Sequence, residues 1–141
     1  KALAFHSACS NPTFIICLVL IAHYFVLLEP ITQSLQAVEI DLLQIKEIVG
    51  NLLIILKSNR ANSDEIFKRD IFSKAKTMCE ELDIEMKVPR QCNRQTHRNN
   101  PGNSDPESYF RIIFNDYLDC LISSLEERFV LNEICSCLFK S

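Results

Sequence analysis

A chain of 141 residues and 16.2 kDa is long enough to bury a core of its own. With 48% apolar and 23% charged residues it has the balance of a globular protein, which excludes a disordered tail. A net charge of −3 excludes a polyanion binder over the whole surface, and only two glycines leave little material for hairpin turns, so helices are favoured over strands.

Residue 1 is Lys rather than Met, and Ile134-Cys135-Ser136-Cys137-Leu138-Phe139 is apolar almost to the end of the chain, so a fragment of a longer protein is expected. Asn11-Pro12 marks a turn, with a helix expected from Thr13. Residues 13–28 contain no Asp, Glu, Lys or Arg. They fall short of the ~20 residues that cross a bilayer. One Lys ahead of them and no small-residue cleavage site behind them also argue against a signal peptide. A buried core helix and no membrane partner are therefore expected. Pro30 should end or kink that helix, with helical structure resuming near Ile31 and running through Gln36.

Asp41 followed by Gln44 resembles a capping box. Leu42, Ile45, Val49, Leu52, Leu53 and Leu56 then keep helical spacing, with Lys46 and Glu47 on the wet side and cations near the helix end. Ser63 or Asp64 should cap the next helix. Its apolar face is Phe67, Ile71, Ala75, Met78 and Leu82, and it ends around Asp83. Residues 84–105, rich in Asn and Pro, break the pattern as a long polar connection. Asp105-Pro106-Glu107 opens a final long helix with the stripe Phe110, Phe114, Tyr117, Leu118, Leu121, Leu125 and Phe129. The fold class is all-α, four to five helices, treated as one helical piece over residues 1–141.

Seven cysteines are an odd number, and Cys17, Cys79 and Cys120 fall within helical apolar patterns, so a reducing intracellular setting is expected.

The polar connection is the one candidate site. From residue 86 to residue 104 there is no acid, and Lys87, Arg90, Arg94 and Arg98 supply +4, leaving −7 for the rest of the chain. Such segregation suits a phosphate backbone. Spacing by fours would align the three Arg on one side of any helical turn, with Gln, Asn, Thr and His between them as phosphate and base-edge partners. The plain alternative is a solvated loop whose Arg pair with surface acids.

Three segments together resemble DNA transposases of the hAT superfamily. The first is Ser10-Asn11-Pro12-Thr13-Phe14 with Leu28-Glu29-Pro30-Ile31, Ser34-Leu35-Gln36 and Ile40-Asp41-Leu42. The second is Leu52-Leu53 to Leu56-Lys57 and Arg60. The third is Pro89-Arg90-Gln91-Cys92-Asn93-Arg94-Gln95-Thr96-His97-Arg98, followed by Tyr109-Phe110-Arg111, Leu118-Asp119 and Arg128-Phe129. The likeness covers roughly residues 10–130 and is nearest the branch with zinc-finger MYM-type proteins and the repressor of the inhibitor of the protein kinase.

The resemblance implies an internal helical insertion of a split RNase H-like transposase domain. It further implies catalytic carboxylates outside this chain, Mg²⁺ or Mn²⁺ in the intact parent, DNA and the rest of the transposase chain as partners, self-association, and a nuclear location. A domesticated host protein–protein interaction module of a transcriptional regulator is the alternative.

No catalytic or metal residue is expected here. Asp116 and Asp119 lie three apart on one helix but need partners from other elements to hold metal ions. Asp116, Glu126 and Glu127 read as a solvated face, and Asp119 is expected to cap or to pair with an Arg inside the fold. Neither Cys92 with His97 nor Cys135 with Cys137 offers the paired spacing of a zinc site.

Overall fold

The computed structural model describes residues 1–39, 41–89 and 105–138, with side chains described up to residue 129. Among the described residues every regular element is helical. The order is α1 (Ala2–Cys9), α2 (Pro12–Gln36), α3 (Leu42–Ala61), α4 (Ser63–Ile66), a π-helical segment (Phe67–Phe72), α5 (Ser73–Glu81) and α6 (Pro106–Leu138). The α4, π and α5 pieces follow without a break, so these are five helical bodies and the all-α expectation is met.

The chain forms two compact units. The first comprises Lys1–His23 and Ser63–Phe114. Its core is Ile15, Ile16, Val19 and Leu20 of α2, Phe67 and Ile71 of the π segment, Ala75 and Cys79 of α5, and Phe110 and Phe114 of α6. The Phe67 and Phe114 rings meet at 5.5 Å between centroids, and Arg111 reaches Asp64 at 3.3 Å. Burying such a Phe contributes roughly 1.5–3 kcal/mol.

The second unit comprises Tyr24–Asn62 and Asn115–Ser141. Tyr24 and Ile31 of α2 are buried there, with Ile45, Val49, Leu52 and Leu56 of α3 and Leu118 and Leu125 of α6. Tyr24 packs on Tyr117 at 5.8 Å, and its hydroxyl accepts a hydrogen bond from Asn59 Nδ2 at 3.2 Å. That bond lets a polar tip enter an apolar interior.

Several expectations meet a different local answer. Pro30 does not end α2, which continues through it to Gln36. The lost backbone bond is offset by Tyr24 and Ile31, buried on either side of it. α2 is also not a fully buried helix. Phe14, Leu18, Ile21, Phe25 and Val26 are exposed, because the packing covers only the face that carries Ile16, Leu20 and Tyr24. α1 was not anticipated; it has no side-chain cap and no buried residue, so it leaves no periodic signal.

Ser63 proves to be a buried helical residue rather than a cap, since only Asn62 separates α3 from α4. At the end of α5 the residue that follows Ala75 into the core is Cys79, while Leu82 is exposed. Phe67, Ile71, Ala75 and Cys79 step strictly by fours. In an ideal α-helix each such step drifts by about 40°, and the wider π turn takes up part of that drift. Ser73 Oγ, donating to the Lys68 carbonyl at 2.7 Å, supports the widened turn. Cys120 is exposed rather than packed in an apolar stripe.

The caps follow sequence chemistry. Asp41 accepts from the Leu43 and Gln44 amides at 2.9 and 3.3 Å, satisfying orphan donors at the start of α3.

Candidate functional site

α5 stops in a Schellman arrangement. Asp83 adopts φ 55°, its amide donates to the Glu80 carbonyl at 3.2 Å, and the Ile84 amide donates to the Cys79 carbonyl at 2.8 Å. Asp is one of the few non-glycine residues that enter this left-handed region without severe cost. On the other side of the polar connection, Asp105 Oδ2 accepts from the Ser108 amide at 3.4 Å. Its pKa is held below the usual carboxylate value, chiefly by hydrogen bonding to Ser108. Pro106 follows at the first helical position, where its missing N–H is not needed. The acid-free segment therefore leaves one capped helix end and enters another, both within the first unit.

Of the four basic residues singled out there, Lys87 is described and exposed. Its Nζ lies 3.3 Å from Glu85 Oε2, an acid immediately ahead of the acid-free run. Arg90, Arg94 and Arg98 lie outside the described residues, as do Cys92 and His97, and the side chains of Cys135 and Cys137 are likewise not described.

Two carboxylates on α6, Asp119 and Glu126, are tied to cations. Arg60 donates from Nε to Asp119 Oδ1 at 2.8 Å and from Nη2 to Oδ2 at 3.2 Å, a two-pronged pair between α3 and α6. The expected Arg partner is thus present, but the pair sits at the surface rather than inside the fold. The bond to Asp119 raises the Arg60 pKa, with a smaller contribution from nearby Asp116. About two turns further along α6, Glu126 meets Lys57 at 2.6 Å. Among the described residues, no three His, Cys, Asp or Glu groups converge as a metal site would require.

Burial raises the thiol pKa of both Cys17 and Cys79, which disfavours the reactive thiolate. His23 is half-buried on α2, with Asp70 of the π segment and Lys74 of α5 in its field.

The exposed apolar face of α2 is the feature that sequence reasoning missed. α2 has 25 residues and a mean hydropathy of 2.3 over its most apolar stretch. A helix with apolar residues on all sides gives no hint of which side stays bare. Phe14, Leu18, Ile21 and Phe25 form a second stripe distinct from the buried one, and only the structure tells which of the two is covered. Searches for similar proteins add no assignment: no family model, curated protein or solved structure matches this chain.

Proposed function

We propose that this chain is a non-catalytic helical part of a hAT-like DNA transposase of the nucleus, which scaffolds the parent and contacts DNA phosphates through Lys87, Arg90, Arg94 and Arg98. In this reading the helices are the insertion of a split RNase H-like domain. The parent is a DDE-type enzyme whose carboxylates, with Mg²⁺ or Mn²⁺, belong to sequence outside this chain.

The observation that carries the proposal is the segregation of charge. A net +4 is concentrated over residues 86–104 of an otherwise acidic chain, in the most family-like motif. Capped helix ends on both sides support it, because they fix where the segment leaves and rejoins the first unit. Neutralising a phosphate releases counterions, so each Arg that does so steepens the salt dependence of binding.

The test is a salt titration of duplex-DNA affinity with the intact protein, comparing wild type with the triple Arg90→Ala, Arg94→Ala, Arg98→Ala variant. The log–log slope should fall by up to ~3, at roughly 0.9 for each phosphate no longer neutralised, for all DNA sequences alike. Unchanged slope and affinity in a folded variant would make the segment a solvated loop.

A second reading, a host protein–protein interaction module within a transcriptional regulator, is favoured by the exposed apolar face of α2. Flanking genomic sequence separates the two. Catalytic carboxylates and terminal inverted repeats point to a transposon, and a single-copy spliced gene without them points to domestication.

A further inference from the structure

We draw no further inference here: the strongest candidate, the wide π turn Phe67–Phe72 between α4 and α5, carries nothing because no second register for that helix to switch to is shown among the described residues.

Discussion

Among the described residues, His23 gives a clear pH sensitivity near neutral pH. Burial lowers its pKa more than the Asp70 carboxylate raises it, and Lys74 adds a smaller push downward. Just below about pH 6.5 the unfolded chain therefore binds a proton at this ring that the folded chain does not. Stability must fall as pH drops through the window from the unfolded pKa to the folded one. Asp70 acts in the same direction at lower pH. Its pKa is depressed, first by the hydrogen bond from Arg69, so its contribution holds above the ordinary carboxylate range and is lost as pH falls through its folded value. Replacing His23 with Gln should flatten the fall of the thermal midpoint that begins as pH drops below about 6.5 and leave the fall at lower pH in place. A His23→Gln profile with the wild-type slope across that window would contradict this account. Little of it was legible in the sequence, where His23 lies inside an apolar run with no charged residue beside it. Its neighbours come from elements almost fifty residues away, and spacing on one helix says nothing of what packs beside it. Asp119 makes the same point: a need for an Arg was readable, but that the Arg is Arg60 on α3 was not.

Among the elements, those with a chemical start signal were readable to the residue or nearly so. Asp41 opens α3 and Asp105-Pro106 opens α6, because a side-chain acceptor for orphan amides is a local property. The π segment was not readable. A strict four-residue step looks like an ordinary helix until packing selects Cys79 over Leu82. Pro30 misled for a similar reason, since a proline penalty of about 3 kcal/mol is decisive in an isolated helix and only one contribution among many in a packed one. Gly50 offers a direct test of α3. It sits mid-helix on the exposed side, without positive φ, and a Cβ there would meet nothing within 4 Å. Gly50→Ala should therefore stabilise the protein by about 0.5–1 kcal/mol, by removing backbone freedom from the unfolded chain. Urea unfolding should show a higher midpoint with an unchanged m-value. A lower midpoint would mean that the outer side of α3 is in close contact with something a methyl group displaces.

At the scale of the whole molecule, two features of charge stand apart: among the described residues Glu126, Asp119 and Asp64 pair with cations of other helices, and an acid-free run lies between α5 and α6. This pairing bears on whether the chain could cut DNA. Strand transfer by DDE-type enzymes needs carboxylates from several elements converging on metal ions about 3.5–4 Å apart. Asp116 and Asp119 come from a single helix. Both oxygens of Asp119 are held by the Arg60 guanidinium, and Asp116 lies in the field of the same cation. A metal ion at Asp119 would have to displace Arg60 and would meet its positive charge. The chain, incubated with Mg²⁺ or Mn²⁺ and plasmid DNA, is accordingly expected to give no strand cleavage or joining. The Asp119→Ala variant is a usable control because the Arg60 pair is exposed and an exposed pair adds little to stability, so the variant should fold. Its thermal midpoint should drop by no more than about 3 °C. Metal-dependent cleavage that disappears in Asp116→Ala or Asp119→Ala, with the helices intact, would place an active site on α6 and make the Arg60 contact a resting state that metal binding breaks.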